Sequence, residues 1–273
     1  MRWQAILPAL AQAILPALAL ALWSAGCAST QETAVLPPDE QFERAQQEYE
    51  EGDIREAIAH FQTFAFNYPQ DPRVSEARWM SAQGYYRVED WATAAQEYLN
   101  YQRDYPQDER AAEALFQAGR AYQQMSLRPE LDQRETERAV NAYDRVIVEY
   151  PRSEFVEEAR TRKAQLRDKL AEKVFLNAEF YFDNENYSAS EIYLTDLIAM
   201  YTDTSWIPAG YALLARTKCQ QGLGDRASEV YARLRENYPD SQAARQVAAE
   251  LPERCRATQA ASDGEDPAPT SGR

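Results

Sequence analysis

Histidine is nearly missing from this chain. His60 is its only copy in 273 residues, so imidazole catalysis and multi-histidine metal sites have almost nothing to be built from; His60 itself reads as a solvated helix position. Glycine is scarce, with 9 glycines against 14 prolines, and no glycine-rich nucleotide loop or nucleophile elbow is written anywhere. Basic charge is short as well. The 29 Lys and Arg face 44 Asp and Glu, a net charge of −15, which excludes a general affinity for nucleic acid. What remains is 45% hydrophobic and 27% charged, a mostly helical composition long enough to bury a large core.

The first 26 residues obey different physics from the rest. Arg2 supplies a positive start, and Ala5 to Leu22 is apolar apart from Gln12. Pro8 and Pro16 interrupt that run, so it reads as an export signal rather than a membrane span. It ends in "LWSAGCAST" (22–30), where Ser24, Ala25 and Gly26 precede Cys27. This resembles the lipobox of bacterial lipoproteins, with Ser24 standing where leucine is usual. The resemblance implies that Cys27 carries a diacylglyceryl group and becomes the mature N-terminus; the other reading is a secreted protein with a stray cysteine. Acyl chains contribute about 0.8 kcal/mol per buried CH2, so two or three anchor stably. Ala28 after the cysteine resembles an outer-membrane address. Export implies an oxidising compartment, in which Cys219 and Cys255 either pair or remain as two buried thiols.

Residues 27–38 form a polar tether ending in Pro37-Pro38, and 256–273 is rich in small and polar residues, which predicts a disordered tail. The folded body between them punctuates itself with "NYPQD" (67–71), "DYPQD" (104–108), "EYPRS" (149–153) and "NYPDS" (237–241). A small residue, a large one four later and proline twelve later recur as Ala57-Phe61-Pro69, Ala94-Tyr98-Pro106, Ala139-Tyr143-Pro151 and Ala227-Tyr231-Pro239; Ser190-Leu194-Thr202 keeps the spacing without proline. Positions i and i+4 share a helix face, and proline stops the helix because it lacks the amide proton. Each "YP" therefore ends the second helix of a hairpin.

This spacing resembles the tetratricopeptide repeat. First helices carry their matching small residue at Ala45, Ala82, Ala178 and Ala215, whereas in the third repeat Ala118 lies further back, because "SLRPELDQRET" (126–136) is inserted. The fourth repeat opens with a stretch free of Gly and Pro from Ser153 to Asp183, about 45 Å if helical at 1.5 Å per residue. The expectation is an all-α, right-handed solenoid of five such hairpins with a C-terminal capping helix, its concave face lined by first helices. Two positions of those helices then form an aromatic ladder: Tyr49, Tyr86, Tyr122 and Phe182 at one, Phe42, Trp79, Leu115 and Phe175 at the other. Packing of these rings as core is the competing reading.

Lipidated cysteine, short tether, five repeats with a long helix in the fourth and a polar tail together resemble the BamD family, the lipoproteins of the β-barrel assembly machinery. The local match is strongest in "EEARTRKAQLRDKLAEKVFLNAEFYF" (157–182) and "YPQDPRVSEA" (68–77). The resemblance implies an adaptor without enzymatic chemistry or cofactor. Residues 39–125 would form the substrate half, receiving the extended, aromatic-ended C-terminal signal of unfolded outer-membrane proteins along Phe42, Tyr49, Trp79, Tyr86, Leu115 and Tyr122. Residues 126–255 would form the partner half, docking on a periplasmic domain of BamA beside other Bam lipoproteins, with Arg167, Asp168 and Lys169 in the contact. A different periplasmic repeat lipoprotein, coordinating cell-wall synthesis, would lack the long helix. A hidden glycosidase would need a carboxylate pair such as Glu157-Glu158, which reads as a solvated face.

Overall fold

The computed structural model describes residues 35–250 and 255. The expected signal peptide, Cys27, most of the tether and the tail from 256 lie outside the described residues. Up to Glu40 the described part is Val35–Pro37, without regular structure, and the first turn of a helix. From Gln41 the chain is one unit.

Among the described residues all regular structure is helical, in five hairpins and a final helix. The hairpins are α1 (Pro38–Glu51) with α2 (Ile54–Asn67), α3 (Val74–Arg87) with α4 (Trp91–Asp104), and α5 (Ala111–Met125) with α6 (Arg134–Glu149). Then follow α7 (Val156–Asp183) with α8 (Tyr187–Met200), α9 (Ile207–Gln220) with α10 (Gly224–Asn237), and α11 (Gln242–Glu250). From α2 onward each helix packs on the next in the chain, and α11 returns onto α9 and α10. This is the tetratricopeptide-type architecture that the spacing predicts.

The repeated small residues explain why the helices sit so close. Ala45, Ala57, Ala82, Ala94, Ala118, Ala139, Ala178, Ser190, Ala215 and Ala227 are all fully buried, as are Phe61, Tyr143 and Leu194 at the large position. Gly119 belongs to the same logic, since a Cβ there would stand 2.7 Å from the Tyr143 ring. The "YP" tetrads end the helices as expected. The amides of Tyr68, Tyr105, Tyr150 and Tyr238 donate to the fourth carbonyl before them at 2.8–3.1 Å, and their own carbonyls accept from the third amide after them at 2.9–3.1 Å. Tyr201 makes the same pair of bonds at 3.0 Å with Thr202 in place of proline, so the turn geometry outlives the residue that marks it.

A second staple follows three of these turns or loops. Asp71, Asp108 and Asp132 each accept from the backbone amide of the arginine two residues on, at 2.9, 2.9 and 3.0 Å, and from that arginine's Nε at 2.9, 3.3 and 2.7 Å. The carboxylates thereby satisfy amides at the starts of α3, α5 and α6, where no intrahelical partner exists. Hydrogen bonds from Arg73 hold the Asp71 carboxyl down to about 2.

Candidate functional site

The structure divides the expected aromatic ladder into two populations. Phe42, Trp79 and Leu115 are core residues, 4%, 5% and 0% exposed, and this corrects their assignment to the groove. Their position faces the second helix of the same hairpin: the Phe42 ring lies 5.8 and 5.1 Å from Phe61 and Phe64, and Trp79 lies 5.4 and 5.3 Å from Tyr98 and Tyr101. Leu115 packs in one cluster with Phe116, Tyr143 and Val146.

Tyr49, Tyr86 and Tyr122, seven residues further along their helices, are only half-buried. Each ring carries an arginine on its face: Arg87 over Tyr49 at 5.3 Å, Arg120 over Tyr86 at 5.3 Å and Arg138 over Tyr122 at 5.8 Å. Two of the three arginines come from the hairpin that follows the tyrosine. Arg87 also donates to the Tyr49 carbonyl at 3.4 Å, and Trp91 packs edge-on to Tyr86 at 4.7 Å. The row therefore joins neighbouring hairpins through guanidinium–ring contacts, each worth about 0.5–1 kcal/mol when exposed. Sequence reasoning missed these arginines, although the signal was present: Arg87 directly follows a ladder tyrosine and Arg120 stands two residues before the next.

Arg167, Asp168 and Lys169 do not form one face. Successive helix residues are separated by about 100°, so neighbours in sequence point apart. Arg167 forks the Asp203 carboxylate at 2.7 and 2.6 Å and donates to the Met200 carbonyl at 2.8 Å. That bond is the main reason the Arg167 pKa is raised and the Asp203 carboxyl depressed. Asp168 accepts from the amide and hydroxyl of Ser205, both at 2.7 Å. These two residues fix the turn between α8 and α9.

Lys169 points elsewhere, donating to the Ser126 hydroxyl at 2.7 Å, and burial lowers its pKa. Lys173, one turn on, donates to the Glu130 carbonyl at 2.6 Å. Both lysines therefore grip the inserted segment between α5 and α6. The segment is organised from within by Gln133, 7% exposed, whose amide donates to the Arg128 carbonyl at 2.7 Å while its oxygen accepts from Thr136 at 2.7 Å. The triplet reads as a docking patch in sequence and is committed to internal bonds in the fold.

His60 is likewise engaged rather than solvated: Nδ1 lies 2.6 Å from Gln41 Nε2, and Nε2 lies 3.4 Å from Glu48. Cys219 and Cys255 are joined as a disulfide, with Cα atoms 6.0 Å apart. Among the described residues no group of His, Cys, Asp and Glu is arranged to hold a metal ion, and no helix is long and apolar enough to cross a membrane.

Comparison with solved structures finds repeat proteins. The TPR2AB-domain–pHSP90 complex of yeast Sti1 is similar at 15% identity, covering 83% of this chain and 86% of that one, with a TM-score of 0.38. A tetratricopeptide repeat protein from Parabacteroides merdae aligns at 17% identity over 84% and 94% of the two chains, TM-score 0.36. A thermophilic TPR protein of Thermus thermophilus aligns at 20% identity over 79% and 99%, TM-score 0.32. The sequence family is more specific: residues 35–234 match the model of YfiO, described as an outer membrane lipoprotein. That match takes in all five hairpins as far as Leu234, and the chain belongs to the YfiO family of outer membrane lipoproteins, the BamD family.

Proposed function

We propose that this chain is the lipid-anchored adaptor of a β-barrel assembly machine, held at the periplasmic face of the outer membrane by acyl chains on Cys27. In this reading the first hairpins receive unfolded outer-membrane proteins by an extended C-terminal segment, and the later hairpins dock on the periplasmic part of the barrel subunit BamA, beside other lipoproteins of the complex. The observation that carries the substrate half is the row of half-exposed tyrosines, Tyr49, Tyr86 and Tyr122, each backed by an arginine. Rings so held lose little rotamer entropy on binding and offer both a face and a hydroxyl to a ligand.

The partner half is supported by exposed apolar side chains on the fourth hairpin. Phe180 and Ile192 are 62% and 63% exposed, and beside them the Tyr181 and Tyr193 rings stack at 5.4 Å. Arg167, Asp168 and Lys169 enter this reading as residues of the long helix that are already engaged in internal bonds, with Lys169 spending one of its three donors on Ser126.

The test compares two tyrosines of one hairpin. Tyr98 is 2% exposed and packs on Trp79, so Tyr98→Ala is a core lesion costing about 3–5 kcal/mol. Tyr86→Ala removes a half-exposed ring, and we expect a small loss of stability with a loss of at least about 1 kcal/mol in binding a C-terminal outer-membrane-protein peptide. A Tyr86→Ala protein that melts as early as Tyr98→Ala, and binds the peptide normally while folded, would return the row to the core.

A further inference from the structure

Among the described residues many arginines pair with a carboxylate, as Arg73 does with Asp71, Arg78 with Asp104, Arg110 with Asp108, Arg145 with Glu149 and Arg167 with Asp203. Arg120 does not. It stands half-buried in the middle of the tyrosine row, and among the described residues it forms no ion pair. Its Nη1 donates to Gln117 Oε1 at 3.1 Å, and its guanidinium lies over the Tyr86 ring. Gln117 in turn donates to Glu113 at 3.4 Å, so an amide stands between the cation and the acid one turn further away. A guanidinium carries five N–H donors in a planar fork. The bond to Gln117 uses one of them.

The surroundings of Arg120 are mostly phenolic, with Glu113 the nearest carboxylate and not in contact with it. Burial pushes the Tyr98 hydroxyl up, with Glu113, then Tyr49 and Tyr86, adding to the rise and Arg120 opposing it. Burial likewise raises the Tyr143 hydroxyl, opposed by Arg162 and then by Arg120. Tyr143 donates to Gln123 Oε1 at 2.9 Å, and Arg162 reaches the same oxygen at 3.4 Å while pairing with Glu158 at 2.7 Å. Arg87, over the preceding tyrosine of the row, also forms no ion pair among the described residues. A chain of net charge −15 thus keeps two unneutralised guanidinium groups on successive tyrosines of the surface read here as peptide-binding.

We propose that Arg120 receives a carboxylate from an extended peptide lying along the tyrosine row, with Arg87 flanking it one hairpin earlier. The chemistry follows from the fork: a carboxylate accepts two parallel N–H bonds, and ring stacking holds the guanidinium plane in place without consuming them. The carboxylate is either the chain end of the ligand or an Asp or Glu side chain within it. The inference rests on the peptide-binding reading above, and it adds that binding is charge-selective rather than purely apolar.

Fluorescence anisotropy of the full chain with a labelled ten-residue peptide ending in an aromatic residue tests this. Three forms are compared: the free acid, the C-terminal amide, and the amide with one internal Glu. Arg120→Gln is expected to weaken an acid-bearing form at least about tenfold and the plain amide less than about twofold. Arg120→Lys, which keeps the charge and loses the fork, should fall between. Arg152→Gln, an exposed arginine outside the row, should change nothing. Dependence on Arg120 in the free acid alone identifies the chain end as the source; its return in the Glu-bearing amide identifies a side chain. Melting curves of each variant confirm that the folded protein is compared. If Arg120→Gln weakens acid and amide forms equally, or neither, the carboxylate site is overturned while the peptide reading stands. If wild type binds none of the three, the peptide reading fails and this inference with it.

Discussion

At Gly52 and Glu89 the backbone makes the same left-handed step with very different residues, at φ of 97° and 62°. Gly222 and Glu185 repeat the pair at 77° and 59°, and all four lie in the short link between the two helices of a hairpin. A Cβ at Gly52 would meet nothing within 4 Å, so the effect of Gly52→Ala is a matter of backbone alone, a loss of about 1 kcal/mol in urea unfolding. Glu89→Gly relieves the same strain and frees the unfolded chain somewhat more, for a net gain of about 0.5 kcal/mol. A loss exceeding about 1 kcal/mol in Glu89→Gly would show that its side chain holds the turn by contacts rather than tolerating it. The small-and-large pairs such as Ala94 with Tyr98 were legible in the sequence because helical spacing forces both onto one face. The split between Trp79 and Tyr86 was not. Both are aromatic and both recur once per repeat, and which one faces the second helix depends on the angle between helices.

The long helix α7 was readable from its length and its freedom from glycine and proline, but the work of its polar residues was not. Lys169 reads as a surface charge, and reversal of such a charge ordinarily shifts stability by only about 0.5 kcal/mol. In the fold its ammonium holds Ser126, and Lys173 holds the Glu130 carbonyl. Hydrogen bonds to charged groups contribute about 1.5–3 kcal/mol, so Lys169→Glu should destabilise by more than about 1 kcal/mol. Faster amide exchange should appear first in the segment between α5 and α6. Exchange unchanged there, together with a lost pull-down of the barrel subunit, would restore Lys169 to the partner surface. The same helix shows why the sequence misled. The identity of a charged residue is plain, whereas its partner sits 43 positions away, on an insertion whose course no periodicity describes.

For the molecule as a whole, contacts between helices among the described residues are nearly all between neighbours, which makes stability close to a sum of hairpins and their interfaces. The bond between Cys219 and Cys255 spans 36 residues and ties the end of α9 to the segment after α11, with α10 and α11 inside the loop. On a chain-entropy account a loop of that size stabilises by about 3–4 kcal/mol. We expect the double variant Cys219→Ser, Cys255→Ser to lose protection in α9 to α11 while α2 to α6 exchange as before. A uniform loss along the chain would show that the hairpins melt as one body instead.

Helix α7 adds one departure from this hairpin-by-hairpin independence. Its first half supplies Ala159 and Leu166 to the core of the third hairpin, and its second half supplies Ala178 to the core shared with Leu194 and Leu213. The 28 residues, about 42 Å of helix, contain no Gly or Pro at which to kink. In mechanical terms α7 is a beam set into two masonry courses. A tilt of the fourth hairpin would therefore load the third as a lever does, and the lysine grips would pass that load to the insertion that follows the last rung of the tyrosine row.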